Sequence, residues 1–278
     1  MRILPRTRHT RRVTPILSAL NIYPLKSCAP LPVRSAEVEL RGLRHDRRWV
    51  VTDATGKFLT GRQHPRLTLL RVVPDGDALD VTAPGMAPLR LERPAAGERT
   101  QVTVWANTVA AVPAGEAVDA WISTFLGMSA RMAHMDHACV RPVNPDYARP
   151  EDEVSFADAF PLLLISEAAL DALNAKLASP VPMLRFRPNL VVAHTTPHAE
   201  DGWKRVRIGG VDFDLVKPCS RCVFTTVDFE RGAFDPSGEP LRTLTTYRRG
   251  ERGVTFGQNV IARGLGTLRV GDAVEVLA

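Results

Sequence analysis

From Ile16 to about Pro113 the chain is a succession of short apolar and β-branched runs separated by turn residues. Residues 20–23, 36–40, 48–52, 67–73, 79–81, 89–91 and 101–105 read as strands, with 53–56, 74–77 and 84–85 as the breaks between them. Such spacing predicts a β-barrel or sandwich. The period then changes. Val118, Trp121, Ile122, Phe125 and Leu126 recur at helical spacing, and Gly127 stands where a left-handed cap would end the helix.

Residues 136–158 are polar, carry Pro142, Pro145 and Pro150, and keep no period, so they read as a long ordered loop or linker. Residues 162–165 form a buried strand by composition. Ser166 follows as the N-cap of a helix bearing Leu170, Leu173 and Leu177, with Glu167 and Asp171 near its positive end and Pro180 and Pro182 stopping it. Strand character returns at 190–192, 206–208, 211–216, 223–227, 259–261 and 267–276, where Val270-Gly271-Asp272 is expected to close a tight hairpin. The fold class expected is predominantly β with a few helices (α+β).

At 278 residues, 45% of them hydrophobic, the chain can bury a substantial core. It has no apolar run long enough for a membrane span and no secretory h-region, and its four cysteines are scattered. A cytoplasmic, reducing setting is the expectation. The basic segment 1–14 reads as a disordered tail and is set apart from the fold. Net charge is +6, and 31 of the 36 basic residues are arginine. Arginine's planar fork matches phosphate or carboxylate, although a codon bias with solvated side chains produces the same count. Neither a zinc finger nor an aromatic-interleaved basic motif supports nucleic-acid binding.

The chemistry concentrates at Lys217-Pro218-Cys219-Ser220-Arg221-Cys222. A thioredoxin-type motif would open a helix, yet strand-like sequence flanks this one on both sides and puts the cysteines on a loop. Structural zinc would need a second ligand pair, and Cys28 and Cys139 stand alone. A thiolate near cations, suited to a soft metal or to nucleophilic work, is left against two ordinary cysteines. His134 and His137 lack the partners of a metal site and are expected to face solvent, while Asp228 and Asp235 are expected to shape a hairpin.

Tyr23-Pro24-Leu25-Lys26-Ser27-Cys28, Asp46-Arg47-Arg48-Trp49, Phe186-Arg187-Pro188-Asn189, Cys219-Ser220-Arg221-Cys222 with Thr225-Thr226-Val227-Asp228, and Phe256-Gly257-Gln258-Asn259 occur in a family order. Over residues 16–277 the chain resembles proteins that join an N-terminal MOSC β-barrel domain to a MOSC domain, the family of the mitochondrial amidoxime-reducing component and its bacterial relatives. The resemblance implies an N-terminal barrel over 15–133 and a MOSC domain over 134–278. It also implies a molybdenum cofactor of the molybdopterin type, with Cys219 as metal ligand and catalytic residue. Lys26, Ser27, Arg47, Asp158, Arg187, Asn189, Pro218 and Phe256 would hold the cofactor.

By the same resemblance the chain would reduce N-hydroxylated compounds to amines, as a monomer that engages neither membrane nor nucleic acid. Electrons would come from a separate ferredoxin-, flavodoxin- or cytochrome-type donor, since the sequence holds neither a dinucleotide fingerprint nor an iron–sulfur cysteine set. A second reading is a carrier of molybdenum cofactor or sulfur without turnover of its own. Pyridoxal phosphate enters only as a family-level association, because no pyridoxal-phosphate domain precedes the match. Read without the family, Arg47 is a surface ion-pair partner, Arg187 a turn cap and Asp158 a loop acid.

Overall fold

Between Val211 and Leu215 the alternation becomes a strand, Val211–Ser220, in which Val211, Phe213 and Leu215 are buried. On its other face Asp212 and Asp214 pair across to Arg207 and Arg205 of the neighbouring strand Arg205–Ile208, so one face joins the core and the other carries cross-strand ion pairs. The computed structural model describes residues 14–95, 97–251 and 253–278. The basic tail expected at 1–14 lies outside them except for Thr14. Strands dominate, with three α-helices among the described residues.

The largest sheet runs in the order Leu31–Val33, Ile16–Ile22, Leu190–Ala193, Leu162–Ser166, Gly253–Ala262, Val211–Ser220, Arg205–Ile208 and Val274–Val276, with Arg249–Gly250 paired to Gly253–Ala262. Its first two strands come from the start of the chain and the rest from beyond residue 160. The N-terminal segment is thereby sewn into the sheet of the C-terminal half. A second sheet orders Trp49–Thr52, Arg131–His134, Asn107–Pro113 and Thr100–Val104. Leu17, Leu20, Leu164, Leu190, Phe213 and Val260 centre the core of the first sheet, and Trp49, Leu67, Val81, Ile122 and Phe125 that of the N-terminal half.

Local signals fared well where they were strong. The helix Glu116–Leu126 ends at Gly127 with φ of 69°, as its cap predicts. The helix Glu167–Asn174 begins where Ser166 Oγ accepts a hydrogen bond from the Ala169 amide, but it stops before Leu177. Three expectations are corrected. The strand expected at 67–73 begins as a 3-10 turn, Pro65–Leu69, opened by Pro65. Residues 223–226 likewise form a 3-10 turn, so only Val227–Asp228 is strand, paired with Ala233–Phe234 in the hairpin expected at Asp228 and Asp235. The segments on either side of Gly271 do not pair with each other: Gly266–Arg269 pairs with Ser35–Glu39, and Val274–Val276 with Arg205–Ile208. Both segments find longer ladders elsewhere, and the turn serves as a crossover between sheets.

His134 is a further correction. It is 7% exposed, because the strand Arg131–His134 lies inside the second sheet and stacks its imidazole on Trp49 with centroids 4.7 Å apart. His137 is exposed, as expected. Burial, joined by repulsion from Arg93, lowers the His134 pKa from its usual 6.5 to about 4. Between those values the unfolded chain binds a proton that the folded protein refuses, so stability present above pH 6.5 is lost as the pH falls toward 4. The loss attributable to this residue reaches on the order of 3 kcal/mol. Urea unfolding of wild type and His134→Phe across pH 4 to 7 is expected to show a flatter stability profile in the variant, and parallel profiles would refute the assignment.

Candidate active site

Cys219 stands at an irregularity in the sheet. In the ladder between Val211–Ser220 and Gly253–Ala262 the register runs Pro218 to Gln258 and then Ser220 to Thr255, so Phe256 and Gly257 together stand opposite Cys219 and the bulge lies in Gly253–Ala262. The bulge interrupts the regular ladder at Cys219, which borders a cavity of about 140 Å³. Gly257 forms this bulge, at φ of 76°, where a Cβ would stand 2.6 Å from Ile165 and 2.7 Å from the Leu164 carbonyl. Cys219 therefore lies at the end of a strand and not on the loop the sequence implied. Behind it the rings of Phe186 and Phe256 pack 4.4 Å apart.

The four cysteines separate by environment. Cys28 and Cys139 are buried, and burial pushes each thiol up to about 11. Cys219 and Cys222 border the cavity. Burial also raises Cys219, against the pull of Arg221. Cys222 is engaged already, accepting a 3.1 Å hydrogen bond from Arg62 Nε.

Six cations border this cavity, namely Lys26, Arg47, Arg62, Arg185, Arg187 and Arg221, with Asp158 the one carboxylate among the lining residues. Lys26 and Arg62 share Asp158, Arg47 pairs with Asp46, and Arg185 lies within 3.7 Å of Asp228 and 3.6 Å of Asp235, while Arg187 and Arg221 are held by other means. Arg47 and Arg187 both stack on the buried ring of Tyr23, at 4.3 and 4.0 Å. Arg47 also donates to the wholly buried Asp46 and to Asn189 Oδ1, whose Nδ2 is anchored on the Asn21 carbonyl. Arg187 donates to the Cys28 carbonyl, and Arg221 to the carbonyls of Phe256 and Phe186. Neither Arg187 nor Arg221 has a carboxylate partner among the described residues, and Arg187 Nη2 and Arg62 Nη1 are buried without a hydrogen bond. Such an imbalance suits an anion with several oxygens.

Asp158 ties the two halves of the chain across the opening. Its Oδ1 accepts from Lys26 Nζ at 2.7 Å and from Trp105 Nε1 at 3.4 Å, and its Oδ2 accepts from Arg62 Nη2 at 2.7 Å. Burial alone would raise its pKa, but Lys26 and Arg62 hold it far below the usual carboxylate range. Lys26 moves the other way, to about 8, because burial outweighs its attraction to Asp158. One acceptor direction on Oδ2 is left for a ligand N–H.

Backbone strain gathers at the same place. Ser27, Arg47, Trp105 and Arg187 have φ of 70°, 52°, 54° and 57°, left-handed values that cost on the order of 1 kcal/mol or more each in residues with a Cβ. At Ser27 this strain presents a hydroxyl whose oxygen accepts from the Gly61 amide at 3.0 Å. Gly61 admits the ring of Phe224, which a Cβ would meet at 2.3 Å.

Lys26, Ser27, Arg47, Asp158, Arg187, Asn189 and Cys219 thus border one cavity. Pro218 and Phe256 do not; Phe256 is fully buried behind the wall, at the bulge opposite Cys219, and Pro218 precedes Cys219 on its strand. Sequence reading missed Arg62, Trp105 and Arg141. Arg141 is 2% exposed and donates to the carbonyls of Ser155, Ala157 and Asp158, fixing the turn that presents Asp158. No local pattern marks these three, since their partners lie at a distance in the chain or in an aperiodic loop. A larger cleft of about 820 Å³ lies beside Arg48 and Trp49, but Arg41, Arg44, Arg48 and Arg93 on it are each matched by a carboxylate, and it holds no thiol.

Comparison with known proteins agrees with this arrangement. Residues 14–129 match the MOSC N-terminal beta barrel domain, and residues 151–275 the MOSC domain. Mitochondrial amidoxime-reducing component 1 of Homo sapiens is 36% identical over 280 residues, covering 94% of this chain and 82% of that protein. The Mus musculus protein of the same name is 37% identical over 294 residues, covering 99% and 86%. Mitochondrial amidoxime reducing component 2 of Rattus norvegicus is 34% identical over 293 residues, covering 98% and 86%. With both domains matched and these relatives aligned along nearly its whole length, the chain belongs to the family of MOSC proteins with an N-terminal MOSC β-barrel that includes the mitochondrial amidoxime-reducing components.

Proposed function

We propose that the protein is a molybdenum-cofactor-dependent reductase of N-hydroxylated compounds. The observation that carries this reading is a thiol opposite a sheet bulge, beside a six-cation cavity in which Arg187 and Arg221 lack a carboxylate partner among the described residues, in a chain whose relatives are named for amidoxime reduction. A thiolate is a soft donor, and Cys219 is the cavity thiol that Arg62 does not already occupy. Lys26, Arg47 and Arg187 would hold the phosphate of a pterin cofactor, with Ser27 and the open side of Asp158 as the smaller hydrogen-bonding groups. Pro218 and Phe256 would act from behind, as supports of Cys219 and of Arg221.

The bound cofactor would supply the two-electron chemistry. In the overall reaction the N–O bond breaks, two electrons and two protons are consumed, and the products are the N–H compound and water. A separate electron-transfer protein would provide the electrons. The protein's share is to fix the thiolate, neutralise the cofactor's anionic groups and hold protons nearby. Lys26 carries such a proton on an ammonium held by Asp158 and the Phe156 carbonyl, with burial lowering its pKa to about 8.

Metal and pterin analysis of protein made in a molybdenum-competent host, with turnover driven by dithionite-reduced viologen, tests the reading. Cys219→Ser is expected to lose at least about 100-fold in activity, on the scale of removing an essential catalytic interaction, with Cys222→Ser keeping most of it. The reverse order, or zinc in place of molybdenum, would overturn the assignment.

Arg187→Gln is expected to weaken retention of the pterin on gel filtration by roughly 10- to 100-fold, the range for one lost charge-assisted hydrogen bond. Unchanged pterin content would remove Arg187 from the anion site. Mixed with NADH or NADPH and an amidoxime but no other protein, the enzyme is expected to be silent. A full molybdenum complement with no turnover under reduced viologen either would favour the carrier reading.

A further inference from the structure

Trp105 is the first residue of the two-residue turn that joins Thr100–Val104 to Asn107–Pro113. Glycine is the usual occupant where such a turn needs a positive φ, and a bulky aromatic at φ of 54° is an outlier. Burial does not offset the strain, because Trp105 is 49% exposed.

The exposed ring is nevertheless held in one orientation. The Arg62 guanidinium covers one side with its carbon 4.6 Å from the ring centroid, Phe58 meets the ring edge-on at 5.0 Å, and Nε1 donates to Asp158 at 3.4 Å. Arg62 and Asp158 both border the Cys219 cavity, so the indole stands at its rim as a fixed, open aromatic surface. A rigid aromatic face of this kind gains most from a second planar π-system laid against it and little from an alkyl chain of similar polarity.

We propose that Trp105 is a specificity-determining platform that favours N-hydroxylated substrates carrying a planar aromatic ring over aliphatic ones with the same reacting group. This rests on the reductase reading above, and it names the substrate class that reading leaves open. The ring packs against Trp105 while the N–OH group reaches the cavity.

The test compares benzamidoxime with acetamidoxime, which share the amidoxime and differ in the ring. Wild type, Trp105→Phe and Trp105→Ala holoproteins are assayed with reduced viologen after metal and pterin contents are matched. The ratio of kcat/KM for benzamidoxime to that for acetamidoxime is expected to fall about three- to tenfold in Trp105→Ala, the range for losing one aromatic pair. Trp105→Phe, which keeps a ring and loses only the Nε1 donor, is expected to retain most of the discrimination. An unchanged ratio in Trp105→Ala, or an equal fall in both variants, would overturn the platform. If wild type turns over neither compound, the reductase reading fails while the platform is still read by fluorescence titration. Saturable quenching by benzamidoxime in wild type but not in Trp105→Ala supports it, and quenching that is absent in wild type or the same in both refutes it.

Discussion

Six cationic side chains meeting at one cavity with one carboxylate among the lining residues is an arrangement that folding alone would not favour, and much of the surrounding structure serves to hold it. Two unit charges about 4 Å apart at an effective dielectric near 20 interact by about 4 kcal/mol, so clustered guanidinium groups need compensation. Tyr23 offers its ring to both Arg47 and Arg187, and a cation over a desolvated aromatic face gains about 2 kcal/mol. Asp158, Asp46, Asp228 and Asp235 pair with Lys26, Arg62, Arg47 and Arg185, whereas for Arg187 and Arg221 backbone carbonyls of Cys28, Phe186 and Phe256 supply the acceptors. Carbonyls orient a guanidinium without cancelling its charge. The cavity keeps its positive field for a ligand.

The same requirement accounts for the unusual backbone. Arg47 and Arg187 lie at left-handed φ, and Cys219 lies opposite a bulge. The left-handed residues send their side chains where regular geometry would not. Their supports are long-range: Asn189 steadies Arg47, Arg141 steadies the turn of Asp158, and Gly257 gives the bulge its room. The joining of Ile16–Ile22 to Leu190–Ala193 gives these contacts a rigid base, because it brings Tyr23 and Lys26 beside Arg187 and Asn189.

Much of the architecture was legible because it depends on local rules. Period-two alternation marked the strand around Phe213, a continuous apolar run the one around Val191, and Ser166 and Gly127 announced their helix ends through capping chemistry that acts over a few residues. The cysteine pair could be read as a candidate site for the same reason, and the ordered set of short motifs tied it to Lys26, Arg47 and Arg187.

What the sequence determined by itself was the alphabet of elements, the basic character and the thiols available for soft-metal chemistry. Only the tertiary structure decided which thiol is free, since Arg62 reaches Cys222 from 160 residues away and leaves Cys219 to the cavity. It also decided that His134 is a core residue, that the segments around Gly271 part to different sheets, and that Trp105 stands open at the rim. The physical reason is common to all four. Local propensity acts through neighbours in the chain, whereas burial, charge balance and side-chain aim are set by partners that only the folded sheets bring together.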